Sequence, residues 1–295
     1  MNNSIITSKG ATATTLEETL VNADLNWEVL SDNVGGMDTG IQMPRAKMIY
    51  RSDNNAPLGI VGQDYKPSDP RQFVSSQFEF AEAVGGKVSQ VGFIHDRSRA
   101  FAFVNVGDIV IDRKDAKVGD PMRAYIYSTD GWDGGTPRKS RLYIERLSCL
   151  NGQTSKQLQS TFWVSHTKNM DDRIESGIKP FLNEITNTVD EYRNQFKKLA
   201  DTSMNKEQME EFLEKLLPGK STLSQNRRKG VVSLFEEGAG NFGNSRWDAY
   251  NAVTEFVTHN RGYRETDVRS ASTNRFFGVL ETDTLADKAL ALLNN

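Results

Sequence analysis

The chain has 295 residues, 37 % of them hydrophobic and 25 % charged, with a formal net charge of −3 at pH 7. That length buries one large core or two modest ones, and the composition excludes a disordered or fibrous chain. The start MNNSIITSKG has no apolar core, and nowhere do about eighteen apolar residues run together, so the expected location is the cytoplasm, with no membrane partner. Cys149 is the single cysteine, which rules out an intrachain disulfide framework and a CxxC zinc cluster.

In chain order, residues 1–45 form an acidic extension: from Met1 to Gly40 one lysine stands against six carboxylates, a net −5. Residues 46–170 follow as a β-rich region. The stretches Ala46–Arg51, Leu58–Gly62, Ser89–Ile94, Arg99–Gly107, Arg123–Thr129, Ser140–Cys149 and Ser160–His166 alternate β-branched and aromatic residues with polar ones, and turn residues bound them. One helix interrupts them, with Phe73, Gln77, Phe80, Ala81 and Val84 on one face and Asp69-Pro70 at its start.

From residue 171 to 295 the period changes to helical. Ile178, Phe181, Leu182, Ile185, Val189, Tyr192, Phe196 and Leu199 mark a long amphipathic helix with Pro180 in its first turn. Asn205 and Gln208 pair as a capping box for a second helix, which stops at Pro218-Gly219. A third runs through Arg227, Arg228 and Phe235 to the loop EEGAGNFGNS, read as a flexible connection. RWDAYNAVTEFVTHN and TLADKALALLNN supply the last two. The fold class is α+β: a mainly antiparallel sheet with one helix in the first half, then a helical C-terminal half.

Catalytic signatures are weak. His95, His166 and His259 lie too far apart in sequence to form a helical metal pair. Cys149 with His166 as its base is a conceivable nucleophile, but a lone cysteine ending an apolar strand is more often simply buried. Asp130 and Asp133 in STDGWDGG offer two carboxylates for a divalent ion, yet Asp-Gly repeats are ordinary turn chemistry. GAGNFG lacks the Lys-Ser/Thr and the preceding strand of a phosphate loop.

Basic clusters carry a stronger signal. Between Arg138 and Arg173 the net charge is +4. Alternation in PRKSRLYIER places Lys139, Arg141, Tyr143 and Glu145 on one face and Ser140, Leu142, Ile144 and Arg146 on the other. A sheet face that mixes cations with tyrosine suits single-stranded nucleic acid, since cations follow phosphates and rings stack on bases. Arg227, Arg228 and Lys229 near a helix start, and Arg261, Tyr263 and Arg264 in HNRGYRETDVRS, form two further clusters. With Arg138, these are the candidate nucleic-acid-binding residues. The competing reading is a solvated surface balanced by neighbouring acids.

Arg51, LGIVGQDYKP (58–67), STDGWDGG with RLYIERLSCLNG, VSHT (164–167), RWDAYNAVTEFVTH (246–259) and ADKALALL together resemble the phage/plasmid-like proteins grouped as domain of unknown function 932, from about Arg45 to the C-terminus. The chain departs from that pattern around Leu147–Leu150, where a valine-rich stretch is usual. The resemblance carries over no catalytic residues. It implies a mobile-element context, a host cytoplasm and work on DNA. The resulting expectation is a binder of single-stranded DNA or RNA that acts in annealing, recombination or replication, as a homo-oligomer without cofactor or metal. Two alternatives stand beside it: a divalent-metal enzyme built on Asp130, Asp133 and His166, and a host-takeover interaction protein.

Overall fold

The computed structural model describes residues 15–94, 98–113, 120–146, 151–153, 161–257 and 284–295. In order, these form α1 (Leu16–Asn22), β1 (Val29–Gly35), β2 (Gln42–Arg51), β3 (Pro57–Gly62), α2 (Pro70–Ala83), β4 (Lys87–Ile94), β5 (Arg99–Ile111), β6 (Asp120–Gly131), β7 (Arg138–Arg146), β8 (Asn151–Gln153) and β9 (Thr161–Val164). The helices α3 (Met170–Asp201), α4 (Lys206–Leu216), α5 (Thr222–Glu237), α6 (Arg246–Glu255) and α7 (Thr284–Asn294) follow. The architecture is α+β. No helix of the described residues is long and apolar enough to cross a membrane.

Local chemistry sets the boundaries. Asp69 caps α2 by accepting from the Arg71 N–H at 2.8 Å, and Pro70 occupies the first turn, where a missing N–H costs nothing. The Asn205–Gln208 capping box starts α4, and Ser245 with Asp248 makes a second one for α6. Between β6 and β7 the chain reverses through Asp133–Thr136, where Gly134 takes φ +79° and Asp133 Oδ1 accepts from the N–H groups of Gly135 and Thr136.

β1, β2 and β3 form a small antiparallel sheet; β4-β5-β6-β7-β8 form a larger one, with β9 also paired to β7. The larger sheet lays Val104, Ile126, Leu142, Ile144 and Val164 against Phe181 and Ile185 of α3 and, further along, Trp247 and Val253 of α6. β-rich and helical regions therefore share one core. A second core gathers Leu20, Leu25, Trp27, Ile49, Phe73, Val91 and Trp132, with the Trp27 and Trp132 rings edge-to-face at 5.0 Å.

Three sequence expectations change here. Residues 15–45 are part of the fold: α1 and β1 lie within the acidic stretch, and Leu20, Leu25 and Trp27 are buried despite the charges around them. The long helix begins at Met170, so Pro180 sits inside it rather than in its first turn. An interior proline costs about 3 kcal/mol; burial of Ile174, Phe181, Ile185, Tyr192, Phe196 and Leu199 along the same helix outweighs it. The GAGNFG loop is anchored, since Arg146 donates to the carbonyls of Ala239 (3.0 Å) and Gly240 (2.8 Å) and to Asn241 Oδ1 (3.0 Å).

Candidate functional site

Cross-strand register sorts the larger sheet into two faces. On the outer face, rows of directly opposed residues run Trp163–Lys139–Thr129–Phe101, then Thr161–Arg141–Tyr127–Phe103, then Tyr143–Tyr125–Asn105, then Glu145–Arg123–Asp108. Lys139, Arg141, Tyr143 and Glu145 thus share a face as the alternation predicts. Five aromatic rings cluster there: Phe103 lies 5.0 Å from Tyr127 and 5.9 Å from Tyr143, Tyr143 stacks on Tyr125 at 6.2 Å, and Phe101 meets Phe103 at 6.0 Å. The sequence signal for this array is the period-two spacing of rings in RAFAFVNVG and RAYIYST, which marks strands but not the face they share.

Burial corrects part of the binding assignment. Arg141 and Tyr143 are only 3 % and 1 % exposed, and the Arg141 guanidinium lies 5.8 Å from the Tyr127 ring centre. Alternation in β7 separates two buried faces rather than core from solvent. What remains accessible is the margin: Trp163 is 50 % exposed, Thr161 is exposed, and Lys139, Tyr125 and Arg123 are half-buried. Glu145 is pushed up by burial, against the pull of Arg123 and Tyr125.

Arg138 belongs to the inner face and is buried. Its Nη2 donates to the Gln72 carbonyl at 3.3 Å and to Ser76 Oγ, so it holds α2 to β7 and is enclosed rather than presented at the surface. Of the helical cluster, Arg227 and Lys229 are exposed on α5, whereas Arg228 donates to the carbonyls of Leu217 (3.3 Å) and Gly219 (3.0 Å) at the end of α4. Arg261, Tyr263 and Arg264 lie outside the described residues, as do Cys149, His95 and His259.

A second constellation lies under the β6–β7 turn. Tyr65 donates to the Gly131 carbonyl at 2.9 Å, the Lys66 N–H donates to the His166 carbonyl at 3.2 Å, and Trp132 Nε1 donates to the Ser68 carbonyl at 2.9 Å. His166 Nε2 stands 3.1 Å from Asp130 Oδ1 while Nδ1 stands 3.1 Å from the Lys66 carbonyl, and the imidazole stacks on Tyr65 at 4.9 Å. Three separate sequence blocks, LGIVGQDYKP, STDGWDGG and VSHT, meet at this point.

These are the blocks on which the family resemblance rests. The sequence model of the family described as "Domain of unknown function (DUF932)" matches residues 57–276. The chain belongs to that family. No curated protein and no solved structure matches it.

Electrostatics in this DUF932 protein give the two aspartates different work. Both nitrogens of His166 face acceptors, and only the imidazolium has two N–H groups to offer. Burial opposes that charge, but Asp130 more than offsets it and the His166 pKa is raised. Burial likewise opposes ionisation of Asp133, yet bonds from Thr136 and Arg99 (2.6 Å) hold its carboxyl down at about 2. Tyr65 is raised by burial and the nearby Asp130 and Asp133 charges, so it stays a neutral donor. Asp133 is a turn residue and ion-pair partner; Asp130 is the buried counter-ion of a histidine.

Of the three residues named for the metal-enzyme alternative, Asp130 thus faces His166 at 3.1 Å while Asp133 is engaged by Arg99 and Thr136. Among the described residues no group of three or more His, Cys, Asp or Glu side chains is placed to hold a metal. Around the centre, Asp130 Oδ2, Arg138 Nη1, Ser68 Oγ and Gln77 Oε1 are buried without a hydrogen-bond partner among the described residues. Burial of Arg138 lowers its pKa, against the stabilising charges of Asp130, Glu79 and Asp171.

Proposed function

We propose that the protein binds single-stranded nucleic acid along the margin of the outer sheet face, and acts as an annealing or recombination factor of a phage or other mobile element. One observation carries the reading: a half-exposed tryptophan, Trp163, sits directly across from Lys139 in a face that otherwise holds five aromatic rings and two arginines. A large ring left half in water beside a cation is suited to stack on a base while the cation meets the adjoining phosphate. The mobile-element setting rests on the resemblance alone, and DNA is favoured over RNA on the same ground.

Tryptophan fluorescence tests the reading directly. Of the four tryptophans, Trp27, Trp132 and Trp247 are buried, so quenching by an added oligothymidylate reports Trp163. Expected results are quenching on binding, a loss of about 1–3 kcal/mol of affinity in Trp163→Ala, and a salt slope of about −0.7 per phosphate contacted, reduced by Lys139→Glu. Absence of quenching together with salt-independent binding would rule the reading out.

A further inference from the structure

The small sheet has one covered face and one open one. Val29, Ile49, Gly59 and Val61 point to the second core, along with Arg51. The other face presents the rows Leu30–Tyr50–Pro57 and Asp32–Met48–Ile60. Ile60 is 64 % exposed there, and the β1–β2 turn adds Met37, wholly in water, with Ile41. Apolar side chains grouped this way on a sheet with an open edge strand are a pairing liability unless something covers them.

Charge indicates what does. From residue 15 to 40 there are six carboxylates and no lysine or arginine, and among them Glu28, Asp32 and Asp38 have no ion-pair partner among the described residues. Arg45 and Lys47 of β2 alternate to the side of Ile49, so the open face sets its apolar side chains beside the Asp32 carboxylate, with Asp38 in the adjoining turn. The opposite pattern occurs at the α4–α5 corner. From residue 215 to 229 there are five cations and no carboxylate. Lys215, Lys220, Arg227 and Lys229 are exposed there, without ion-pair partners among the described residues, around Leu223, itself 61 % exposed. The neighbouring groove between α4 and α5, which Arg228 and Lys229 also line, holds Glu210, Glu214 and Glu236, so Lys215, Lys220 and Arg227 at the corner carry most of the complementarity.

We infer that the open face of β1–β3 docks on the α4–α5 corner of a second copy of this chain. The two surfaces differ, so the contact is head-to-tail, and it propagates into a ring or a filament rather than closing as a two-fold dimer. Pairing of β1 with its own symmetry mate is disfavoured, since an antiparallel register centred on Asp32 sets that carboxylate against itself. This inference is separable from the nucleic-acid reading at the β1–β3 surface, where Met37 and Ile60 are not candidate nucleic-acid contacts and do not lie on the outer face of the larger sheet.

Light scattering coupled to size-exclusion chromatography of the full chain, across concentration and without nucleic acid, is the test. Expected are concentration-dependent species larger than a dimer. They should disappear in Met37→Asp/Ile60→Asp and equally in Arg227→Glu/Lys229→Glu, with circular dichroism unchanged because all four side chains are exposed. Mixing the two variants should give a one-to-one dimer and nothing larger, as each retains one intact surface. A monomeric wild type, oligomers indifferent to either variant, or a mixture that stays monomeric would each overturn the inference. Oligothymidylate binding measured on Met37→Asp/Ile60→Asp keeps the two proposals apart, since that monomeric variant alters no candidate nucleic-acid contact and should still quench Trp163.

Discussion

Two buried arginines of β7, eight residues apart on the same face, live in opposite circumstances. Arg146 is fully enclosed and saturated: Nε donates to Asp120 at 2.7 Å, and its other nitrogens reach Ala239, Gly240 and Asn241. Asp120 also accepts from Trp247 Nε1 at 2.8 Å, while Arg113 holds Asp248 at 2.9 Å beside it. Arg138 is as deeply enclosed, but its Nη1 has no partner among the described residues and the nearby carboxylate of Asp130 is committed to His166. A saturated network is a clasp between sheet and helices, whereas an undersaturated one keeps polar capacity in reserve, at a cost in stability.

The largest effect should come from breaking the saturated side. Arg146→Met strands Asp120 and two loop carbonyls in the core, and chemical denaturation should show a loss of about 3–5 kcal/mol. The same change at Arg138 tests the contrast. Because Arg138→Met removes a cation that is already short of partners, its cost should be smaller, about 1–2 kcal/mol on the same measurement. Equal costs would erase the distinction.

A pH titration sharpens it further. The folded-state pKa of His166 stands above its ordinary 6.5. Its contribution is therefore fully present below the unfolded value and is lost as pH rises through the folded one. Melting temperature should fall across that interval in the wild type and stay flat there in His166→Gln. Asp133 should give the smallest effect and the opposite slope. Its carboxyl is lowered from 3.8 to about 2, so its contribution is present above the unfolded value and fades as pH drops toward the folded one. Since Arg99 and Asp133 are partly exposed, Asp133→Asn should cost about 1 kcal/mol at neutral pH, measured as a small shift in denaturation midpoint.

Much of the architecture was legible because β5, β6 and β7 alternate cleanly and the caps Asp69, Asn205 and Gln208 follow from short-range chemistry. What escaped did so for identifiable reasons. α1 and the connection that follows it hide Leu20, Leu25 and Trp27 among carboxylates, so net charge masked a buried segment. Arg138 and Arg141 were grouped as cations, although adjacent parity sends them to opposite faces and both faces are buried. Asp130 and His166 are grouped by the sequence only as ion ligands with Asp133, not as a direct pair: the pairing of β7 with both β6 and β9 brings them within 3.1 Å, and sequence alone gives no register between strands so far apart.

Arg146 also imposes an order on events during synthesis. Its carbonyl partner on Ala239 lies 93 residues further along the chain. At roughly 5–20 residues per second, the ribosome needs about 5–20 s to deliver it. During that interval a guanidinium destined for full burial lacks the 239–241 loop and α6 that enclose it, although α2 and then α3 are already made. The nascent β-region must therefore wait, open and sticky, and a fragment ending near residue 170 would never leave that state.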